Sequence, residues 1–244
     1  MIKLYQFPIS HYSEKARWAL AYKGLPYQKV NLLPGLHSKT TTRLAKRSSV
    51  PILQHEQNII QNSSDIIDYL DQHFSERPLT PVDPAARAQA LEWESYVDKE
   101  LGPHVRRLCY FTLLDHPRLC ISLLGHQGPW YGKLFLRLIF PKLRKLMYHY
   151  LKISPESVAE SEQQVRQALA KLNQAWRHSG YLVGDQFSRA DLAAAALLAP
   201  LCAPSQYGIP WPKHYPQPLD SLCQQLSPQL QRVRELYRLH RPDS

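Results

Sequence analysis

The fold is decided near the start of the chain, by residues 2–20, IKLYQFPISHYSEKARWAL. Ile2 to Phe7 have the pattern of a short strand, and a helix follows from about Tyr12 to Lys23 because its apolar residues share one face. The loop between them leaves Ser10 at the N-terminus of that helix. Unpaired backbone N–H groups and the positive end of the helix dipole favour a thiolate at such a position.

The spacing Ser10-x-x-Ser13 stands where thioredoxin and glutaredoxin-like proteins have CxxC. Disulfide exchange through a resident cysteine is therefore excluded at this loop. Ser10 can still donate a hydrogen bond to the thiolate of a bound thiol. The ordinary alternative is that Ser10 only caps the helix.

The next sixty residues continue the alternation of strands and helices. A second strand fits residues 27–33, a short or irregular helix fits 38–47, a hairpin runs from Val50 to Ile60, and a further helix starts at Asn62 or Ser63. The order βαβ, α, ββα predicts a small mixed sheet with helices on both faces.

Two points in this half suggest contact with an extended ligand. Pro51 opens a strand, and a cis bond before it would turn the backbone groups of Val50 outward, where a peptide could pair with them. Asn62 and Ser63 open a helix where N–H groups and hydroxyls converge, as a carboxylate would require. An ordinary cap with Asp65 completing a capping box is equally consistent.

A proline-rich stretch at 76–84 reads as a linker, so the predicted domains are 1–75 and 85–244. The second domain is predicted to be entirely helical, with helices at 85–100, 105–114, 133–151 with a break at Pro141, 156–179, 188–198 and about 228–239. Ser188 and Asp191 form a capping box, and Phe187 with Leu192 forms a hydrophobic staple, at the start of a very apolar helix.

These segments together resemble the glutathione transferase superfamily. The resemblance implies an α/β thioredoxin-like N-terminal domain that binds glutathione, followed by an all-α C-terminal domain. It also implies that Ser10 stabilises the thiolate, that Val50, beside Pro51, pairs with the cysteinyl group, and that Asn62 and Ser63 take the γ-glutamyl carboxylate. Glutathione would act as co-substrate, without a metal.

The resemblance extends to particular members and has local departures. The run LYQF, the pattern S-x-x-S-x-K-x-R and the later GLPYQ are similar to the membrane-associated prostaglandin E synthase of the second type, and to serine-type transferases. Asn62 stands where the family usually has an acidic residue or Gln, and Ser48-Ser49 replace a Gly-Lys-like turn. Tyr5 and Tyr12 are alternative donors if Ser10 points away.

The composition limits the setting in which the protein acts. A net charge of +10 favours an anionic partner of some kind. The four cysteines are widely spaced, which predicts free thiols in a reducing cytoplasm and no zinc site. The N-terminal residues lack the pattern of a secretory signal.

Residues 115–153 are not explained by the resemblance. They hold seven Lys or Arg against Asp115 alone, interleaved with aromatic residues. The alternatives are a solvated basic face, a peripheral membrane contact through 130–152, or a cover over the cleft that attracts an anionic ligand. Nucleic-acid binding is not expected, since no recognition motif accompanies the charge.

The expected function is a cytoplasmic, homodimeric glutathione-dependent transferase of the detoxifying kind, acting on a small hydrophobic electrophile. The alternative is a non-catalytic binding or carrier protein on the same scaffold, with a hydrophobic anion, haem or a protein as partner.

Overall fold

The computed structural model of the chain describes residues 1–242, which contain four strands and eleven α-helices. In chain order they are β1 (Ile2–Gln6), α1 (His11–Tyr22), β2 (Tyr27–Asn31), α2 (His37–Leu44), β3 (Ile52–His55), β4 (Asn58–Gln61), α3 (Ser63–His73), α4 (Pro84–Tyr96), α5 (Gly102–Leu113), α6 (Pro117–Leu124), α7 (Gly132–Tyr150), α8 (Pro155–Ser179), α9 (Arg189–Cys202), α10 (Leu219–Leu226) and α11 (Gln231–His240). A π-helical turn, Val97–Leu101, joins α4 to α5.

The N-terminal half is built on one four-stranded sheet of order β2-β1-β3-β4. β1 is parallel to β2, because α1 crosses over between them, and antiparallel to β3, which forms a hairpin with β4. All the helices from α4 onward come after this sheet in the chain and make up the second half. The arrangement confirms the predicted α/β thioredoxin-like half followed by an all-α half, while the boundaries at 75 and 85 stay predictions.

Helix α9 forms the centre of the helical half, and it is buried along its whole length from Arg189 to Leu201. It packs against α1 of the first half and against α4 and α11. Its run of alanines lets these neighbours approach closely. The capping box is present at its start: Ser188 Oγ accepts from the N–H of Ala190 at 3.3 Å, and Asp191 accepts from the N–H of Ser188 at 3.3 Å.

One predicted feature of the helical half is wrong. The sequence predicts a break at Pro141, but α7 runs without interruption from Gly132 to Tyr150. A proline removes one N–H donor from the helix. Leu136, Phe140 and Leu143 are buried on both sides of it and hold the two halves of the helix against the same surface. Helices α6 and α10, of eight residues each, have no counterpart in the prediction.

The four cysteines are free thiols, and two of them, Cys109 and Cys120, are buried. None of the helices in the described part of the chain combines the length and the apolar character needed to cross a membrane.

Candidate functional site

Ser10 lies in the loop between β1 and α1 and caps that helix. Its Oγ accepts a hydrogen bond from the N–H of Ser13 at 3.3 Å, and its backbone is extended, as at most N-caps. Within residues 1–242 the hydroxyl proton of Ser10 has no acceptor. A hydroxyl is both donor and acceptor, so Ser10 can cap the helix and still donate to a ligand.

The two tyrosines that the sequence offers as other donors are already engaged. The hydroxyl of Tyr12 donates to the carbonyl of Asp98 at 2.7 Å, and burial raises the pKa of Tyr12 above its usual value. The hydroxyl of Tyr5 donates to Gln54 Oε1 at 2.8 Å on the neighbouring strand. Since both protons are used within the fold, neither tyrosine competes with Ser10 as the donor.

A cavity of about 360 Å³ opens beside Ser10. Ser48, Ser49 and Val50 form a polar part of its wall together with Ser10. Six aromatic residues line the apolar remainder: Phe7, Tyr12, Tyr110, Tyr150, Trp211 and Tyr215. Among the described residues that line the cavity, Arg106 is the one Lys or Arg, and there is no Asp or Glu. A small apolar molecule fits a cavity of this size and lining.

Val50 and Pro51 connect this cavity to the edge of β3. The bond between them is cis, as the sequence interpretation required. Val50 lies on the cavity wall and takes no part in the sheet register, which begins at Ile52. Pro51 is buried, and its carbonyl accepts from the N–H of Asn62 at 3.2 Å. The strand that carries Val50 is thereby tied to the start of α3.

Asn62 and Ser63 form that start of α3. Asn62 has φ at 101°, which is unusual for a residue other than glycine, and its side chain accepts from the N–H of Ser64 at 3.5 Å. The Oγ of Ser63 is buried and has no hydrogen-bond partner within the described residues. An unpaired buried hydroxyl at a helix N-terminus has spare capacity for an anionic group.

Of the sequence-predicted site residues, the structure brings Ser10, Tyr12 and Val50 together on the cavity wall. Pro51, Asn62 and Ser63 lie next to it, through the hydrogen bond from Asn62 to Pro51, but do not line it. Tyr5 lies elsewhere on the sheet.

Sequence reasoning missed a buried charge cluster behind these helix ends. Lys15, on α1, is fully buried, and its Nζ lies 2.7 Å from Glu94 and 2.6 Å from Asp98. The same Nζ donates to Ser64 Oγ at 2.9 Å. Burial alone would raise the pKa of Glu94, but Lys15 and Arg189 lower it below its usual value. The cluster fixes the first turns of α1 and α3 relative to each other. No local sequence pattern predicts this charge cluster, because Lys15 and Asp98 are 83 positions apart.

His11 is a second residue that the sequence did not single out. Its ring lies on the cavity wall next to Ser10, and its Nε2 has no partner among residues 1–242. Burial, with a smaller effect from Arg106, lowers the pKa of His11 to about 3. The imidazole is therefore neutral at neutral pH, and it presents an unfilled polar atom close to the cavity.

Two family models match the chain, and together they cover more than half of it. The N-terminal domain of glutathione S-transferases matches residues 4–78, and the C-terminal domain of the same family matches residues 155–217. The first match contains the strand, loop and helix starts described above, and the second contains the capping box of α9.

Several proteins are similar to part of the chain. Glutathione S-transferase U2 of Arabidopsis thaliana is 32% identical over 105 residues, which is 42% of this chain and 46% of that protein. A glutathione S-transferase of Pseudomonas putida is 34% identical over 113 residues, 45% of this chain and 49% of its own. A stringent starvation protein A homolog of Haemophilus ducreyi is 33% identical over 95 residues, 36% of this chain and 44% of its own. The chain thus matches about half the length of these relatives.

Solved structures share the fold over nearly the whole chain. The beta-etherase LigF of Sphingobium sp. has a TM-score of 0.61 at 24% identity, covering 97% of this chain and 98% of its own. A glutathione S-transferase of Xanthobacter autotrophicus has a TM-score of 0.64 at 18% identity, covering 99% of this chain and 95% of its own. The strand and helix order, the cavity beside the first helix and both family models agree, and the chain belongs to the glutathione transferase superfamily.

Proposed function

We propose that the chain is a glutathione-dependent transferase, which activates the thiol of glutathione for attack on a small hydrophobic electrophile. The observation that carries the proposal is the hydroxyl of Ser10, whose proton is unused within the described residues and which sits at the positive end of α1 beside an apolar cavity.

Three unfilled polar groups support the binding of a peptide-like thiol along this edge. The Ser10 hydroxyl would donate to the sulfur, and the backbone of Val50, free of the sheet register, would pair with the cysteinyl unit. At the start of α3, Asn62 and the Ser63 hydroxyl, which has no partner among residues 1–242, would receive the γ-glutamyl carboxylate.

Little machinery is needed for the chemistry. A thiol has a pKa of about 8.5, and lowering it by one to two units raises the thiolate fraction at pH 7 from about 3% to about 24–76%, roughly eight- to 25-fold. The pKa shift of one to two units corresponds to about 1.4 to 2.8 kcal/mol. A hydrogen bond from Ser10 to the thiolate and the dipole of α1 together reach that range. The thiol proton is lost to solvent when the thiolate forms. The sulfur then forms its bond to the electrophilic carbon while that carbon's bond to the leaving group breaks, and the leaving group departs with the electron pair.

The test is the replacement Ser10→Ala, measured as the pKa of bound glutathione and as the conjugation rate with an aromatic electrophile. The thiol pKa should rise by about one to two units and the rate at pH 7 should fall roughly eight- to 25-fold, in proportion to the thiolate fraction. Ser13→Ala is the matched control, since that hydroxyl is on the same helical turn but does not line the cavity. If glutathione binds no more tightly than millimolar and Ser10→Ala leaves the rate unchanged, the proposal fails.

The same measurements separate the second candidate, a non-catalytic carrier of a hydrophobic anion, of haem or of a protein partner. Arg106, the one Lys or Arg among the described residues that line the cavity, favours the hydrophobic anion. A carrier would bind its ligand in the cavity without any change in the acidity of glutathione.

Three further proposals rest on the family alone. They are that the chain forms a homodimer, that it acts in the cytoplasm, and that its reaction serves detoxification. Light scattering of the purified protein tests the first. The similarity to prostaglandin E synthase stays a prediction.

A further inference from the structure

Helix α7 carries an apolar line on its exposed face. Trp130, just before the helix, is 92% exposed, and Leu134 and Leu138 on the helix are 59% and 75% exposed. Leu134, Leu138, Pro141 and Lys145 follow one another at spacings of four, three and four residues, which places them along one side of the helix. The opposite side holds the buried residues of the same helix. An aromatic residue and two leucines that are exposed to water along one helix face indicate a site of interaction with a partner.

Cations flank this apolar line. Lys133 and Arg137 lie on one side of it, Lys142 lies on the other, and Lys145 lies at its C-terminal end. All four are exposed, and none of their side chains forms an ion pair or a hydrogen bond with another residue in the range 1–242. Residues 116–155 contain no Asp or Glu. The surface formed by Trp130, Leu134, Leu138 and these four cations is named here the α7 face.

We propose that the α7 face docks the protein on an anionic membrane surface, with the apolar line at the level of the lipid headgroups and the cations at the phosphates. An apolar stripe bordered by Lys and Arg is the pattern of helices that lie in the interface plane. Long basic side chains extend their stems along an apolar layer and keep their charges in the polar region. This inference does not depend on the proposed chemistry at Ser10.

Two other occupants, a second copy of the chain and a different protein, fit the charge of the α7 face less well. A second copy of the chain, paired through the same face, would bring the two sets of four unpaired cations together. Lys is depleted from the core of protein interfaces, whereas Lys145 stands in line with the leucines and would be buried there without a counter-charge. On a lipid surface the same lysine meets phosphates.

Docking in this way leaves the cavity on the side of α7 that faces away from the lipid, where it stays accessible from solvent. The C-terminal part of α7 supplies Met147 and Tyr150 to the cavity wall. The bound state is peripheral, since only one face of the helix is available.

The proposal is tested by sedimentation of the full chain with vesicles of phosphatidylcholine alone or with one third phosphatidylserine. We expect binding to the anionic vesicles at low salt and its loss at high salt, because the Debye length falls from about 10 Å at 0.1 M to about 3 Å at 1 M. Arg137→Gln with Lys145→Gln should weaken binding about 25-fold, at roughly fivefold for each cation. Trp130→Ser with Leu138→Ser should weaken it by at least tenfold, since both apolar side chains would leave water on docking.

The matched control is Arg238→Gln with Leu239→Ser on α11, which removes an exposed cation and an exposed leucine from another helix. It should leave vesicle binding unchanged, and this separates the α7 face from the general effect of a +10 chain. All the replaced residues are exposed, so circular dichroism should show folded proteins throughout. The proposal is overturned by a lack of binding at low salt, by equal binding to neutral vesicles, by variants that all bind equally, or by self-association that the α7 variants abolish.

Discussion

Two neighbouring arginines on α5 show how position decides the role of one residue type. Arg107 is used within the fold, because it donates to the carbonyl of Leu151 at 2.9 Å and to Ser161 Oγ at 2.7 Å. Arg106 lines the cavity and has no hydrogen-bond or ion-pair partner in the described part of the chain. A free guanidinium beside an aromatic wall selects ligands that combine an apolar body with an anionic group.

The replacement Arg106→Gln should therefore change ligand selectivity rather than ligand binding in general. We expect the affinity for an aromatic carboxylate to fall roughly tenfold or more, because a hydrogen bond to a charged group contributes about 1.5 kcal/mol or more. The affinity for the corresponding neutral amide should stay the same. Titration calorimetry with the two ligands gives the comparison. Equal losses for both, or no loss for either, would show that Arg106 does not contact the ligand.

The buried ring of His11 makes the stability of the protein depend on pH. The pKa of His11 is about 6.5 in an unfolded chain. In the folded chain burial, and to a smaller extent the positive charge of Arg106, lowers this pKa to about 3. Between these values the unfolded chain binds the proton and the folded chain does not. The contribution of His11 to stability is thus complete above about pH 6.5 and is lost as the pH falls toward 3.

His11→Gln should accordingly flatten the pH dependence of unfolding. Between about pH 7 and about pH 5 the wild type should lose more free energy of unfolding than the variant, by up to about 2 kcal/mol, at 1.36 kcal/mol for each pH unit below 6.5. Urea denaturation at the two pH values measures both slopes. Other titrating groups are common to the two proteins and cancel in the difference, so identical slopes would contradict the assignment.

At the scale of elements, the start of α9 is the position where capping matters most. Because the helix is buried, its first N–H groups have no access to water. Asp191 accepts from the N–H of Ser188, from the N–H of Leu182 at 2.9 Å and from Trp176 Nε1 at 2.9 Å. One carboxylate therefore joins α9 to the preceding loop and to α8.

Asp191→Ala should cost considerably more stability than the loss of an exposed cap. Three buried donors would lose their acceptor, and each unsatisfied group costs about 1 to 3 kcal/mol, so we expect at least about 3 kcal/mol in total. Asp83→Ala, which removes the exposed cap of α4, is the comparison and should cost about 1 kcal/mol. Urea denaturation of both variants gives the two values, and equal costs would rule out the buried role of Asp191.

The elements themselves follow largely from local sequence. Strand alternation, the cap at Ser10 and the box at Ser188 and Asp191 are fixed by residues within a few positions of one another, so the sequence predicts them. The same local reasoning wrongly predicts a helix break at Pro141, because the effect of this proline on α7 depends on what packs against the helix. Local sequence cannot predict the pairing of Lys15 with Asp98, since no residue within one helical turn of either one specifies the other.

At the scale of the whole molecule, the end of the chain returns to the first helix. Arg241 Nε donates to Glu14 Oε1 at 2.9 Å, and Arg17 Nε donates to Glu14 Oε2 at 2.7 Å, with all three side chains almost completely buried. The indole N–H of Trp18 donates to the carbonyl of His240 at 2.9 Å. The α/β half is therefore held to the last helix of the all-α half by a buried polar junction rather than by the linker alone.

Glu14→Gln is expected to weaken this junction strongly. Without the carboxylate, Arg17 and Arg241 would be two buried guanidinium groups near each other, and removing one partner of a buried ion pair costs about 3 to 5 kcal/mol. Glu162→Gln, which breaks the exposed pair with Arg166 on α8, is the matched control and should cost less than about 1 kcal/mol. Urea denaturation followed by circular dichroism and by tryptophan fluorescence compares the two. Because Glu14 joins the two halves, its loss should also make the two signals change at different urea concentrations, whereas we expect them to coincide in the wild type. Equal and small costs for the two replacements, with coincident signals in both, would mean that the halves are coupled by their apolar contacts alone.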